Sequence, residues 1–168
     1  MLARRLVRSL LVALPIGVLS GSCTSSVDVK HALELTDVSG GWFDAGIKDG
    51  KNKIVPSVTF RLRKKTDVDL EGVSLNVVFR HPAAPGGNTE DEWGEVFLQN
   101  AQFTEGSRTA PLTVRTENGY TGDPPQSRLD LLKNSQFRDV RARVFAKYSS
   151  TQWVEIGTID VPRQLITR

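Results

Sequence analysis

This sequence of 168 residues contains one cysteine, Cys23, and only two histidines, His31 and His81. A single cysteine cannot form a disulfide within one copy of the chain, so the fold must be held by packing. A zinc site needs three or four histidine, cysteine or acidic ligands, and these three residues show no ligand spacing. We therefore expect neither a disulfide framework nor a metal centre, and we expect no cofactor.

Motifs for nucleophilic or phosphate chemistry are also missing. The sequence has no G-x-S-x-G and no S-x-x-K, the arrangements that place a nucleophilic serine beside its activating groups. Its glycine pairs, Gly40-Gly41 and Gly86-Gly87, are isolated and form no phosphate-binding loop. These absences favour a protein that is not an enzyme.

Long apolar runs are absent, because the longest covers only the ten residues Leu10 to Leu19. As a helix it would rise about 15 Å, half of a bilayer core of about 30 Å. Arg4, Arg5 and Arg8 precede it and small residues follow it, which is the order of an export signal. We predict that residues 1–22 are a signal peptide that is cleaved before Cys23.

The end of this segment resembles a bacterial lipoprotein signal. That family places a cysteine after a box of the form Leu-(Ala/Ser)-(Gly/Ala)-Cys, and this chain has Leu19-Ser20-Gly21-Ser22-Cys23, with the leucine one position earlier. The resemblance implies acylation of Cys23, a membrane contact through the lipid, a tether over residues 23–28 and a domain over 29–168. Thr24 in place of Asp implies, by similarity to enteric lipoproteins, the outer membrane facing the periplasm. Ordinary secretory cleavage at the same bond, leaving a free thiol, is the alternative.

The charge of the chain changes when the signal is removed. The full sequence has 22 Lys and Arg against 19 Asp and Glu, a net charge of +3 and a pI of about 9.2. Such a balance can indicate a nucleic-acid binder. The predicted signal holds three arginines and no acid, so the remaining chain has 19 residues of each sign. We therefore expect no nucleic-acid partner.

Alternation of apolar and polar residues dominates the rest of the chain and indicates β-strands with one packed face. The apolar positions of the predicted strands are Val29, His31, Leu33 and Leu35; Val58, Phe60 and Leu62; Val73, Leu75, Val77 and Phe79; Val96 and Leu98; Leu112 and Val114; Val140, Ala142, Val144 and Ala146; and Ile156, Ile159 and Val161. Turn residues such as Asp49-Gly50 separate these runs. Residues 127–134 instead have helical spacing after a serine cap. We predict an all-β, immunoglobulin-like antiparallel sandwich of about seven strands with one short helix.

Residues 55–100 resemble the small FxLYD-type sandwich modules of bacterial lipoproteins. The shared theme is a strand, a polar turn and then a Val/Leu/Val/Phe strand, here Val73 to Phe79. The resemblance implies a module of the cell envelope and no particular chemistry.

We expect structural roles, not binding or catalytic ones, for the two histidines and the basic clusters. We expect His31 at a strand edge and His81, before Pro82, in an exposed loop. Two basic groups indicate solvated faces, with a shared positive patch for an anionic partner as the alternative; they are Arg61, Arg63, Lys64 and Lys65, and Arg138, Arg141, Arg143 and Lys147.

Aromatic residues are the candidates for binding a partner. Trp42 and Phe43 follow two glycines, Trp93 lies among Glu90, Asp91, Glu92 and Glu95, and Tyr120 lies in an irregular loop. Each is either an exposed contact or part of the core, and for Trp153 we expect strand packing. The sequence thus favours a non-enzymatic exported lipoprotein with a protein partner in the envelope. The alternative is a carbohydrate-binding or hydrolytic protein that uses the acidic residues around Trp93.

Overall fold

The first two strands form a hairpin with a two-residue turn. In this computed structural model, which describes residues 27–65, 67–68, 70–84, 86–87 and 89–167, β1 (Leu33–Lys48) pairs antiparallel with β2 (Lys51–Lys64). Asp49 and Gly50 have φ angles of 51° and 78°. A type I′ turn needs positive φ at both central positions, so the Asp-Gly signal in the sequence marks a tight hairpin.

The remaining strands complete two sheets. They are β3 (Val73–His81), β4 (Asp91–Ala101), β5 (Leu112–Arg115), β6 (Tyr120–Gly122), β7 (Val140–Lys147), β8 (Val154–Val161) and β9 (Leu165–Ile166). In the first sheet β2 lies between β1 and β5, β6 also pairs with β2, and β9 runs parallel to β1. The second sheet has the antiparallel order β4-β3-β7-β8.

This strand order is that of an immunoglobulin-like sandwich. The second strand lies between the first and the fifth, and β7, the first strand of the hairpin β7–β8, lies between β3 and β8. Seven of the described strands have four or more residues, while β6 and β9 are short additions. The predicted all-β sandwich with a short helix is confirmed.

Alternating apolar residues from both sheets form the core between them. On β7, Val140, Ala142, Val144 and Ala146 are buried and the residues between them are partly exposed. On β3, Leu75, Val77 and Phe79 are fully buried. Complete burial of a Val, Leu or Phe side chain contributes about 1.5–3 kcal/mol, so these two central strands supply much of the packing free energy.

Two short helices flank the sheets. α2 (Arg128–Lys133) begins after the cap Ser127, as the sequence predicts. α1 (Val29–Ala32) lies where the alternation predicts the start of the first strand, so that part of the prediction is wrong. Val29 and Ala32 are both buried, and a spacing of three residues places two side chains on one helical face.

The sandwich has two ends, which we call the α1 end and the distal end. The α1 end holds α1, which packs against β1, β7 and β8, and the connection 148–153 between β7 and β8. The distal end holds the turn at Asp49 and Gly50, the connection between β3 and β4, and α2.

Candidate functional site

Five rings meet inside the distal half of the sandwich, and we call them the aromatic cluster; they are Trp42, His81, Trp93, Tyr120 and Phe137. The centroid of Trp42 lies 5.9 Å from Trp93, 5.6 Å from Tyr120 and 4.6 Å from Phe137. Tilted and edge-on pairs at these distances each contribute about 0.5–1.5 kcal/mol beyond area burial. Three of the four aromatic candidates from the sequence therefore belong to one cluster.

Trp42 is the buried centre of this cluster. It lies on β1 with 0% of its surface exposed, and its backbone N–H donates to Gln164 O at 2.7 Å. The indole Nε1 has no hydrogen-bond partner within the described part of the chain. Its side chain is a core element, so a partner has no access to it in this structure.

Trp93 reaches the cluster through a bulge in β4. The register pairs Phe79 with Gly94 and Arg80 with Glu92, which leaves Trp93 as the extra residue. A bulge re-aims the side chain of its extra residue. The Trp93 ring accordingly lies 5.3 Å from Tyr120 and 4.7 Å from His81, and it is half-buried.

Tyr120 connects the cluster to the segment after α2. Its hydroxyl accepts a hydrogen bond from the backbone N–H of Arg138 at 2.9 Å and lies 3.5 Å from Arg138 O. Its ring lies 4.6 Å from Phe137. Because the ring is half-buried, Tyr120 shares with Trp93 a packed inner side and an accessible outer side.

His81 is a core residue, and the expectation of an exposed loop position is wrong. Its side chain is 7% exposed, and its Nδ1 lies 3.0 Å from Asp139 O. A carbonyl oxygen only accepts, so Nδ1 donates. β3 continues through His81, which has the same parity as the inward residues Val77 and Phe79.

His31 also differs from the expectation. It lies on α1, not on a strand, and its side chain is largely exposed. Its Nδ1 lies 2.7 Å from the Asp28 carboxylate, whose Oδ1 accepts from the His31 backbone N–H at 3.2 Å. Its contact with Asp28 therefore belongs to the cap of this helical turn.

Phe43, the fourth aromatic candidate, lies apart from the cluster. Adjacent strand residues point to opposite faces, so Phe43 is on the outer face while Trp42 points inward. The guanidinium of Arg115 lies 3.6 Å from the Phe43 ring centroid. This cation–π contact covers one side of the ring.

The acidic residues around Trp93 are held by groups of the same chain. Arg138 binds Asp91 at 2.9 Å, Arg80 binds Glu92 at 3.0 Å, and Asn76 donates to Glu95 at 3.1 Å. Glu90 lies 3.8 Å from Arg141 and 3.7 Å from Arg143. Acid–base catalysis by a carboxylate pair needs two groups free to face a substrate, and these four contact cations or an amide instead.

The strand arginines of the two basic groups lie on different sheets and do not form one positive patch. Arg61 is on β2, where it binds Glu105 at 2.6 Å. Arg141 and Arg143 are on β7, where they pair with Asp160 and Glu155. The hydrogen bond from Arg143 lowers the pKa of Glu155 below its ordinary value. These arginines therefore belong to mixed, locally neutralised faces.

Two open cavities flank Phe137 on the distal surface. One of about 180 Å³ is lined by Tyr120, Gln126, Asn134 and Gln136. The other, of about 380 Å³, is lined by Pro82, Ala84, Arg138 and Arg163. Arg163 lies 4.9 Å from the Phe137 ring centroid and 2.7 Å from Asp139. Together they give the distal surface two recesses beside an aromatic centre, of which the larger is mainly apolar.

Trp153 does not pack as a strand residue, contrary to the expectation. It lies in the connection before β8 and is 41% exposed. Its ring contacts that of Phe97, with centroids 6.0 Å apart.

Among the described residues, no group of three or more His, Cys, Asp or Glu is placed to hold a metal ion. No helix within those ranges is long and apolar enough to cross a membrane. Cys23 and the predicted signal peptide lie outside the described residues.

Comparison with known proteins found no matching family model, curated protein or solved structure. Sequence reasoning missed His81 and Phe137 as members of the aromatic cluster. His81 could be found from the sequence, because it has the strand parity of Val77 and Phe79. Phe137 follows an irregular segment that has no periodic pattern.

Proposed function

We propose that this chain is an exported lipoprotein, anchored through Cys23, whose β-sandwich binds a protein partner in the cell envelope and is not an enzyme. The outer membrane facing the periplasm is its proposed site. The proposal is supported by the order of residues 1–23: a basic head, a short apolar run, small residues and then the cysteine.

One structural observation carries the binding role, namely that the aromatic cluster and α1 lie toward opposite ends of the sandwich. Residues 23 to 29 can span at most about 20 Å, so a lipid at Cys23 would hold the α1 end close to the membrane. The distal surface, with Trp93 and Tyr120 half-buried and the two cavities beside Phe137, then points away from the bilayer. Aromatic residues in such settings are the usual anchors of protein interfaces.

A carbohydrate-binding or hydrolytic role has less support. Trp93 packs its ring against His81 and Tyr120, and the four neighbouring carboxylates are engaged within the chain. A sugar site needs an exposed aromatic face beside unpaired polar groups. These contacts cover part of the Trp93 ring and pair the carboxylates beside it.

Lipidation is tested by growing cells with a fatty-acid analogue and comparing the wild type with Cys23→Ala. We expect label on the wild-type chain and complete loss of label in the variant. Label that persists in Cys23→Ala, or is missing from the wild type, would contradict the anchor.

The binding surface is tested with photo-reactive residues placed in the intact lipoprotein. Gln136 on the distal surface is compared with Lys65 at the α1 end, since both are exposed. We expect a discrete cross-linked protein from position 136 only, and its loss when Tyr120→Ala is combined with it. Equal products from both positions would argue against the distal surface.

A further inference from the structure

An exposed aromatic pair lies at the α1 end, on the outer face of the second sheet. Phe97 is 53% exposed and Trp153 is 41% exposed, and their rings meet edge to face. The ammonium of Lys147 lies 5.9 Å from the Trp153 ring centroid. We call these three residues the Trp153 patch.

The patch lies near the point where the chain leaves the domain toward Cys23. Trp153 directly precedes β8, and α1 packs against β7 and β8. Two more lysines lie at this end. Lys30 is on α1, and Lys65 donates from Nζ to Lys30 O at 3.3 Å and from its backbone N–H to Ala32 O at 2.8 Å. Cationic and aromatic groups thus share the end of the sandwich that holds the tether.

We propose that the Trp153 patch rests in the interfacial layer of the bilayer in which the lipid at Cys23 is inserted. This inference rests on the proposed lipid anchor. Tryptophan is favoured at membrane interfaces because its ring is apolar and its indole N–H is polar. Lysines near a surface of anionic lipid each add about 1 kcal/mol of attraction. The Lys147 ammonium lies over the Trp153 ring, where its charge would face a headgroup.

The consequence is a fixed orientation of the domain. The lipid at Cys23 would hold the α1 end near the bilayer, but a single attachment leaves the domain able to tilt about it. A second contact at the Trp153 patch places the α1 end against the bilayer and directs the aromatic cluster away from it.

The experiment uses the complete lipidated chain in vesicles of phosphatidylethanolamine and phosphatidylglycerol. Bromine atoms on the acyl chains, close to the glycerol backbone, quench tryptophans that reach the interface. We expect the wild-type emission to fall in brominated vesicles relative to unbrominated ones. Trp153→Phe is expected to lose this quenching, while the matched variant Trp93→Phe keeps it.

The variants keep an aromatic ring at each position, so folding is expected to be preserved and is checked by circular dichroism. Lys147→Glu is expected to reduce the quenching in the same vesicles. The mass of the purified chain and its co-flotation with vesicles report the anchor separately. An acylated, floating chain whose emission is unquenched would overturn the patch alone, whereas a chain without acylation would overturn the proposed function and this inference together.

Discussion

At the scale of single residues, Gly119 controls how closely the segment before Tyr120 approaches β2. A Cβ at this position would overlap the carbonyl oxygen of Ile54 and would lie 2.8 Å from Val55 Cγ1. Backbone oxygen cannot move aside as a flexible side chain can. Overpacking of this kind typically costs about 1–3 kcal/mol.

We therefore expect Gly119→Ala to lower the free energy of unfolding by about 1–3 kcal/mol in urea titrations. Gly40→Ala is the control, since its Cβ would meet Ser57 O at 3.4 Å, an ordinary contact. Equal stability of Gly119→Ala and Gly40→Ala would show that β6 does not pack as described.

The ion pair of Glu155 makes the free energy of unfolding depend on pH in the acid range. The pKa of Glu155 lies below the ordinary value of 4.5, first because Arg143 donates a hydrogen bond to it and also because of Thr158 and the charge of Lys30. As pH falls, the unfolded chain therefore takes up this proton before the folded chain does. The contribution of the pair is complete above about pH 4.5 and is lost progressively as pH falls below that value.

Glu155→Gln is expected to lose up to about 1 kcal/mol at neutral pH, the range for partly exposed ion pairs. The difference from the wild type should shrink as the pH approaches 3 in urea unfolding at a series of pH values. Glu117→Gln, at an exposed position, is the control. A difference that stays constant across this range would contradict the ion-pair origin.

At the scale of elements, α2 depends on its cap. The Ser127 side chain accepts from the Asp130 backbone N–H at 3.2 Å, and the Asp130 side chain accepts from the Ser127 backbone N–H at 3.0 Å. This capping box satisfies two backbone donors that a helix start leaves free. It holds Leu131 and Leu132, which are buried in the core.

Ser127→Ala is expected to cost about 1 kcal/mol of stability, measured by the midpoint of urea unfolding. Ser150→Ala, in the exposed turn after β7, is the control and should leave the midpoint nearly unchanged. If both variants behave alike, the capping box does not stabilise the domain.

The strands and helices show which parts of the fold the sequence predicts. Alternation located β3, β5, β7 and β8 because each has one buried face, and Ser127 marked α2. The same pattern was misleading at α1, because the predicted alternation counted His31 as an inward position. The buried residues are instead Val29 and Ala32, which lie three apart on one face of a helical turn. The bulge at Trp93 escaped prediction because it depends on how β4 pairs with β3, which the sequence of β4 alone does not contain.

At the scale of the whole molecule, the net charge distinguishes the precursor from the processed chain. The complete sequence has a pI of about 9.2, and removal of residues 1–22 would leave equal numbers of basic and acidic side chains. We expect the chain from membranes to focus near neutral pH. Isoelectric focusing provides the measurement, with the unprocessed chain made without cells as the reference, and a membrane form that still focuses near the precursor would contradict cleavage.

The pairing of β3 with β7 has a consequence for how fast the domain forms. The hairpins β1–β2, β3–β4 and β7–β8 join neighbouring stretches of chain, whereas β3 and β7 pair residues about 60 to 70 positions apart. Closing so long a loop costs entropy before the contacts repay it, and sandwiches dominated by such pairings fold in milliseconds to seconds. We therefore expect the hairpins to form early and the β3–β7 pairing to limit the rate. Val77→Ala on β3 should then slow refolding in stopped-flow measurements, because it weakens a contact that forms in the rate-limiting step.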